Sequence, residues 1–348
     1  MTIVEPVSAR VVTGGVDTHL DVHVAAALDD IGGLLGVESF EASRAGNDKL
    51  LAWLRTFGDV AQVGVEGTGS YGASLARSLR AERVKVVEVD RPNRQARRRT
   101  GKSDPADAVE AARAALSGRA QGVGKTRDGK VEAIRALVVA KRSARSTKIK
   151  SLNQIRHLGF TAPDELRDRL RGVSRDHLGP VAAALRPRAD GDPVMTATKT
   201  SIRILGRRVL ALDDELAAID ALLAPLVVAT APSLLKVHGV GVDTAATLLV
   251  AAGDNPERLR SEAAWAHLCG VAPIQASSGK VTRWRLNRGG DRQANGALWV
   301  VVITRMGSDP RTRAYVERRL KEGRSKPEII RILKRYVARE VYQHLPRT

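Results

Sequence analysis

Short apolar runs separated by glycines and charged turns open the chain and predict three consecutive β-strands. The runs cover residues 11–17, 22–28 and 34–40. Between the last two, the segment 29–33 combines aspartates with glycines, a composition typical of a tight turn. The three strands are therefore predicted to form a meander, in which each strand lies beside the next.

The apolar spacing then alternates between helix and strand as far as residue 117. Helices are predicted over 47–57, 70–81 and 106–117, and buried strands over 61–66 and 84–89. Strands that alternate with helices require a largely parallel sheet with helices on its faces, and three leading strands are typical of the ribonuclease-H-like arrangement. We therefore predict an α/β domain over residues 11–125, whose last helix has its N-cap at Ser103 or Asp104.

From about residue 130 the strand signals end and helical spacing takes over. Long helices are predicted over 131–155 and 202–227, with shorter helices between them. We assign 126–228 to a basic helical insert or coiled coil, which is either a solvated linker or a helix pair that binds nucleic acid or dimerises. The remainder, 229–348, is predicted to be a mainly α C-terminal domain.

The chain carries a formal net charge of +19 with an isoelectric point near 10.7, and this charge is uneven along its length. Residues 1–90 have a net charge of −5, residues 91–160 of +13 and the remainder of +11. Such a balance favours a polyanionic partner, with nucleic acid ahead of an anionic membrane surface. The cations of the basic segment that we expect to contact nucleic acid are Arg97, Arg98, Arg99 and Lys102.

Composition also excludes several classes of protein. No apolar run approaches the roughly 18 residues that a membrane span needs, and the first residues lack the features of a secretory signal. The single cysteine, Cys269, excludes an intramolecular disulfide and a cysteine-based zinc finger. We expect a cytoplasmic, nucleoid-associated protein with no membrane partner.

Four carboxylates in the first third of the chain suggest a metal site for phosphodiester chemistry. Asp17 and Glu66 end the predicted first and fourth strands, which would bring them to one edge of the sheet. Asp104 and Asp107 lie three residues apart at a helix start and can face the same way. Each acid alone has an ordinary role as a helix cap or turn former. Because Mg²⁺ prefers carboxylate oxygens and paired ions clamp an in-line phosphoryl displacement, the four together predict a site for Mg²⁺, with Mn²⁺ as an alternative.

Two other patterns in this region carry less weight. The glycine-rich run 64–72 lacks the Lys-Ser/Thr of a P-loop and the spacing of a dinucleotide fingerprint. His19 and His23 flank Asp21 at strand-like spacing and could bind a metal, although a sheet histidine is more often polar surface. We therefore favour the four carboxylates.

The C-terminal third contains two patterns suited to phosphate contacts. Gly239 and Gly241 precede a predicted helix as in a helix-hairpin-helix motif, where glycines let the backbone approach a phosphate; an ordinary glycine turn fits equally well. Further on, Ser277 and Ser278 lie in a cationic loop that could hold a phosphate and stabilise its developing charge, or simply dock it. The cations are Lys280, Arg283, Arg285 and Arg288.

Together these motifs resemble one transposase family. The start Gly15-Val-Asp-Thr-His, the strand end Val65-Glu-Gly-Thr-Gly-Ser-Tyr-Gly and the helix start Lys102-Ser-Asp-Pro-Ala-Asp-Ala resemble the DEDD, RuvC-like domain of the bacterial insertion-sequence transposases of family one-ten. The runs His238-Gly-Val-Gly-Val-Asp and Gly270-Val-Ala-Pro-Ile-Gln-Ala-Ser-Ser-Gly-Lys resemble the family's C-terminal transposase domain. The motifs follow the family's order through most of the chain.

The resemblance implies a site, a mechanism and partners. The DEDD metal ligands would be Asp17, Glu66, Asp104 and Asp107. The nucleophile would be Ser278, with Ser277 as the competing assignment, although Gly279-Lys280 stands where the family often has a second glycine. The serine would form a transient phosphoserine link to DNA, in a composite site with the carboxylates of another subunit of a homodimer or tetramer. The resemblance also implies a structured noncoding guide RNA that pairs with the element ends and the target DNA.

The leading hypothesis is therefore a Mg²⁺-dependent DNA transposase or recombinase. The first alternative is a RuvC-like junction nuclease, which would use a metal-activated water and form no link between protein and DNA. The second alternative is a nucleic-acid-binding protein without catalytic activity, in which the four carboxylates could be replaced without loss of function.

Overall fold

A computed structural model describes residues 10–89, 103–188, 191–255 and 258–346. The chain divides into two compact units, the first made of Met1–Gly129 with Gly253–Arg258 and the second of Lys130–Ala252 with Leu259–Thr348. In this division the predicted insert and the predicted C-terminal domain belong to the same unit, and the three-domain boundaries stay a prediction. The predicted nucleic-acid contacts at Arg97, Arg98, Arg99 and Lys102 lie outside the described residues.

The first unit is a five-stranded sheet with helices, and its element order agrees with the order predicted from the sequence. The strands follow the order β3-β2-β1-β4-β5 across the sheet. This arrangement is consistent with a ribonuclease-H-like domain. Along the chain the elements are β1 (Val11–Thr18), β2 (Val22–Leu28), β3 (Leu34–Glu41), α1 (Arg44–Arg55), β4 (Asp59–Glu66), α2 (Ala73–Ala81), β5 (Lys85–Val89) and α3 (Asp104–Leu116).

The expectation of a largely parallel sheet is wrong, because the sheet is mixed. Strand β1 is antiparallel to β2, and β2 is antiparallel to β3, while β1 with β4 and β4 with β5 are parallel. Short turns join the three leading strands, and a short turn can connect only antiparallel neighbours. Parallel pairing begins only where a helix provides the crossover.

Helix α3 packs against the sheet at two glycines. A Cβ placed on Gly15 of β1 would lie 2.1 Å from the backbone nitrogen of Ala112 and 2.3 Å from the carbonyl oxygen of Ala108. A Cβ on Gly64 of β4 would lie 2.5 Å from the carbonyl oxygen of Ala111. Because these approaches leave no room for a side chain, the alanine-rich face of α3 lies directly on β1 and β4.

Replacing Gly15 with alanine should destabilise the first unit by at least about 1–3 kcal/mol, because the added methyl group overlaps helix backbone rather than a movable side chain. Hydrogen exchange of the β1 amides would measure this loss. The matched control is Gly296→Ala in the second unit, where a Cβ meets nothing within 4 Å. That change lies inside a helix and should stabilise it by up to about 1 kcal/mol. Equal protection of β1 in wild type and Gly15→Ala would contradict the packing argument.

The second unit is predominantly helical, as predicted. Two of its helices are longer than the sequence spacing indicated, because the added ends include Leu158 and Met195, which also pack against a hydrophobic core. The elements are α4 (Lys130–Phe160), α5 (Asp164–Arg171), α6 (Arg175–Ala183), α7 (Pro193–Thr230), a 3₁₀ turn (Leu234–Lys236), α8 (Val242–Ala252), α9 (Glu262–Leu268), β6 (Ile274–Gln275), β7 (Trp284–Arg285), α10 (Arg292–Ser308), α11 (Pro310–Lys321) and α12 (Lys326–His344).

Ion pairs fix the register of the two long helices α4 and α7. Lys141 of α4 pairs with Asp220 of α7, and Lys148 pairs with Asp213. The partner numbers fall on one helix as they rise on the other, so the helices are antiparallel. Lys141 is buried and also pairs with Asp243 at the start of α8. A buried ammonium needs such partners, since an unpaired charge in a core is strongly destabilising.

Among the described helices, none combines the length and the apolar character needed to cross a membrane.

Candidate metal centre and serine hairpin

The sheet edge at the end of β1 brings together three of the side chains singled out in the sequence. Asp17, His19 and Asp104 each offer a ligand atom, and these atoms all lie within 4.8 Å of one another. His19 Nε2 lies 3.1 Å from Asp17 Oδ2 and 3.5 Å from Asp104 Oδ1. Asp17 is buried, whereas the other two side chains are partly open to solvent. The group therefore sits at the surface with one buried carboxylate at its base.

The packing of α3 explains how acids so far apart in sequence meet. Helix α3 packs on β1 at Gly15, and Asp17 follows Gly15 by two residues near the end of β1. The first turn of α3 therefore lies close to Asp17. Ser103 occupies the N-cap, and Asp104 and Asp107 both lie in the first helical turn. The helix dipole favours negative side chains in the first turn. Acids at these two positions therefore stabilise the helix and also supply carboxylates to the site.

Burial raises the pKa of Asp17, and the neighbouring carboxylates of Asp107 and Asp104 raise it further, against the opposing effect of His19. Carboxylates that repel one another in a partly dry site are stabilised as anions by a bound cation. The donor set contains carboxylate oxygens, which hard divalent ions prefer, and one imidazole. The residues present therefore fit a divalent cation, and the group is a candidate metal centre.

Glu66 lies beside this group on the neighbouring strand. The parallel register of β1 and β4 aligns Val16 with Val65, one residue before each acid. The hydroxyl of Thr18 donates a hydrogen bond of 2.8 Å to the Glu66 carbonyl oxygen, which ties the two strand ends together. The Glu66 carboxylate is not one of the three groups that meet within 4.8 Å, and its role as a ligand stays a prediction, as does that of Asp107.

His19 is the residue that sequence reasoning undervalued. From the sequence, His19 was considered only as part of an alternative metal site, in which His19 and His23 flank Asp21. Instead, His23 is buried, and His19 contacts the carboxylates of β1 and α3. The available signal was its position two residues after Asp17, which puts both side chains on the same side of an extended strand.

The serines lie in a β-hairpin of the second unit, formed by β6 and β7. Ile274 pairs with Arg285 and Gln275 with Trp284, and an isolated bridge joins Ser278 to Val281 nearer the tip. All the predicted cations of this loop are exposed to solvent. They are Lys280, Arg283, Arg285 and Arg288.

Hydrogen bonds distinguish the two serines. The Ser277 hydroxyl accepts hydrogen bonds of 3.2 Å from Gln275 Nε2 and from the backbone N–H of Arg283, so it holds the two strands together. The Ser278 hydroxyl has no hydrogen-bond partner within the described part of the chain, while its backbone N–H donates to Val281. The geometry therefore leaves Ser278 available to a ligand and gives Ser277 a structural role.

The hairpin also exposes a large aromatic side chain that the sequence interpretation passed over. Trp284 on β7 is 61% exposed, in a chain where aromatic residues make up only 3%. An exposed indole among cations is suited to stacking on a nucleotide base. The signal in the sequence was its position between Arg283 and Arg285.

The glycines of the predicted helix-hairpin-helix motif differ in what they do. Gly239 has a positive φ of 82°, and a Cβ there would lie 3.2 Å from the carbonyl oxygen of Val301, so backbone geometry and packing both favour glycine. A Cβ on Gly241 would meet nothing within 4 Å. Asp243 already places a carboxylate in the first turn of α8. Phosphate binding by this turn stays a prediction.

Two family models match the chain. A DEDD model of IS110 elements, described as "Transposase", matches residues 14–158, and a model described as "Transposase IS116/IS110/IS902 family" matches residues 231–317. Both matched segments are therefore domains of the IS110 family of transposases. The first match contains the four carboxylates predicted from the sequence, and the second contains both serines of the hairpin.

Two curated relatives come from insertion elements of this kind. The chain is 33% identical over 124 residues to the "Insertion element IS110 uncharacterized 43.6 kDa protein" of Streptomyces coelicolor, and the match covers 35% of this chain and 30% of the relative. It is 26% identical over 192 residues to the "Insertion element IS900 uncharacterized 42 kDa protein" of Mycobacterium paratuberculosis, over 51% of this chain and 48% of the relative. The matched segments thus span less than half the length of either relative.

Proposed function

We propose that this chain is a DNA transposase that cuts and rejoins DNA strands with two chemical centres, a carboxylate metal site and a serine nucleophile. The observation that carries the proposal is the group of Asp17, His19 and Asp104 at the sheet edge. The two family matches and the net charge of +19 support DNA as the substrate. The fold of the first unit supports a RuvC-like, ribonuclease-H-like domain.

Asp17 and Asp104 would hold the ion, which we assign as Mg²⁺ with Mn²⁺ as a substitute, and Glu66 and Asp107 would complete the DEDD set. When bound, the ion would neutralise charge that develops on the phosphate oxygens. His19 would position the Asp17 carboxylate through its hydrogen bond of 3.1 Å. The buried location of Asp17 keeps this carboxylate fixed relative to β1.

Ser278 would act as the nucleophile in the second centre. Its hydroxyl oxygen would attack a DNA phosphorus atom and form a P–Oγ bond as the bond from phosphorus to one strand end breaks. The serine proton passes to solvent, and the departing strand end takes up a proton as a hydroxyl group. Attack by the hydroxyl of a new strand end then reverses the step and releases Ser278. Lys280, Arg283, Arg285 and Arg288 would balance the phosphate charge.

A trapping assay tests this function. The protein is incubated with Mg²⁺, DNA that carries element ends and target, and transcripts of the flanking DNA, and the reaction is quenched with denaturant. We expect rejoined DNA and a covalent protein–DNA species, both absent when EDTA is added first. Cleaved DNA without a covalent species would support the nuclease alternative instead. Omitting the transcripts tests the proposed guide RNA, since joining should then be lost.

The proposal includes an assembly of more than one subunit. The family resemblance suggests a homodimer or tetramer in which the carboxylates of one subunit act with the serine of another. Nucleoid association would follow from DNA binding. Both stay predictions.

A further inference from the structure

The two chain segments that enter and leave the serine hairpin line a cavity of about 580 Å³. The segment before β6 contributes Gly270 to Pro273, and the segment after β7 contributes Leu286 to Arg288. Helices α10 and α12 close the other sides. A volume of this size falls in the range of roughly 300–1,000 Å³ in which proteins enclose small organic ligands.

The lining of the cavity combines cations with apolar walls. Arg288, Arg292, Arg331 and Lys334 line it, and no aspartate or glutamate does. Within the described residues none of these four forms an ion pair with a carboxylate, although other arginines of α12 do. Four cations that line one cavity are suited to an anionic ligand, although the carboxylate of Glu328 already interacts electrostatically with Arg331. Apolar residues such as Leu286 and Ile332 line the cavity beside them.

Lys334 is held in a fixed position at the cavity. Its ammonium donates a hydrogen bond of 2.7 Å to Asn295 Oδ1, and the Asn295 amide nitrogen donates to the carbonyl oxygens of Cys269 and Gly270. An ammonium has three donors, so this arrangement leaves further donors for a ligand. Burial and then the neighbouring charge of Arg331 lower the pKa of Lys334, and a bound anion would oppose both effects.

A close backbone contact shapes the same wall. Gly270 has a positive φ of 66°, and a Cβ on Gly290 would lie 2.4 Å from the Gly270 Cα atom. The turns before and after the hairpin therefore touch through two glycines, and a side chain at Gly290 would separate them. This contact ties the cavity wall to the base of the hairpin that carries Ser278.

We propose that this cavity binds one nucleotide of an unpaired nucleic-acid strand, with its phosphate held by Arg331, Lys334, Arg288 and Arg292 and its base against the apolar wall. The inference deepens the proposed function, since it gives the serine hairpin a subsite for the strand next to the reacting phosphate. A double helix is too wide to enter a cavity of about 580 Å³, which is why the strand must be unpaired there.

Binding of fluorescently labelled hexathymidylate, followed by anisotropy, tests the proposal. The variant Arg331→Gln/Lys334→Met removes two cavity charges and keeps most of each side chain. The control variant Arg313→Gln/Lys321→Met removes two exposed charges from α11. We expect the cavity variant to bind at least about 10-fold more weakly. The slope of log K against log salt should fall in magnitude by up to about 0.7, the value for one phosphate contact of a single strand. The control should stay within about twofold of wild type.

Equal losses in both variants, or no loss in either, would overturn the proposal. If the cavity variant proves to be misfolded by circular dichroism, chemical protection in the wild-type protein decides. Hexathymidylate should lower the acetylation rate of Lys334 at least about fivefold, because desolvated contact with a phosphate blocks the amine. An unchanged rate would refute the site. Tighter binding of hexathymidylate than of hexauridylate would identify the strand as DNA, and the reverse as RNA.

The outcome is separable from that of the proposed function. A wild-type protein that binds the oligonucleotide through this cavity but never joins DNA would refute the transposase proposal and keep the subsite. If the wild-type protein joins DNA and the cavity variant binds hexathymidylate as tightly as wild type, the transposase proposal is kept and the subsite is refuted.

Discussion

Asp17→Asn is expected to lower the rate of DNA strand cleavage about 1,000-fold, which corresponds to roughly 4 kcal/mol of transition-state stabilisation. The substitution keeps the size of the side chain and removes the negative charge at the base of the Asp17–His19–Asp104 group. Because this carboxylate is buried and the surrounding groups are fixed, another acid cannot readily take its place. Cleavage of labelled DNA in Mg²⁺ and titration of Mn²⁺ binding would measure the two consequences separately.

The control for this variant is Asp30→Asn, which removes one negative charge from an exposed turn of the same unit. It should retain wild-type cleavage, because the exposed carboxylate contacts none of the three groups. Full activity of Asp17→Asn would reject the metal centre. It would favour the alternative of a nucleic-acid-binding protein without catalytic activity. A variant that binds Mn²⁺ normally yet fails to cleave would instead give Asp17 a role other than ion binding.

Ser278→Ala is expected to reduce DNA joining at least about 10,000-fold, because loss of a covalent nucleophile removes the step itself rather than one stabilising contact. The covalent protein–DNA species should disappear at the same time. Binding of DNA should remain near the wild-type value, since the hairpin cations and Trp284 are untouched. Denaturing gels of quenched reactions and anisotropy would give the two readouts.

Ser277→Ala is the matched comparison, since it removes an identical hydroxyl from the adjacent residue. Its Oγ accepts two hydrogen bonds within the hairpin, so the variant should lose about 1–2 kcal/mol of local stability and only a few-fold in joining. A large loss in Ser277→Ala with an intact Ser278→Ala would reverse the assignment of the nucleophile. Normal joining by both variants would exclude the serine mechanism and favour the nuclease alternative for the carboxylate centre.

Local sequence patterns were sufficient to predict those elements of the first unit whose formation depends on residues close together in the chain. Alternating apolar runs placed β1 and β4, and the parallel pair they form brings Asp17 and Glu66 to one edge. Pro105 and the acids around it marked the start of α3, because helix starts have strong local preferences. The proportion of parallel pairing was overestimated, since the meander required antiparallel neighbours.

Other features depended on packing that no single segment encodes. His19 looked like an ordinary strand residue until α3, seated on Gly15, placed Asp104 beside it. The two serines are equivalent by composition, and only the hydrogen bonds of the folded hairpin separate their roles. Likewise, the cavity gathers Arg288 and Lys334 from distant segments with no shared periodicity.

The sequence by itself therefore determined the order of helices and strands, the acids at strand and helix ends, and the cationic loop around the serines. These depend on local backbone preferences and on the periodicity of apolar residues. Only the tertiary structure decided which carboxylates meet His19, which serine hydroxyl takes part in hydrogen bonds of the hairpin, and where four cations line a common cavity. Those outcomes depend on how closely distant segments approach, and two glycines at the interface of β1, β4 and α3 control one such approach.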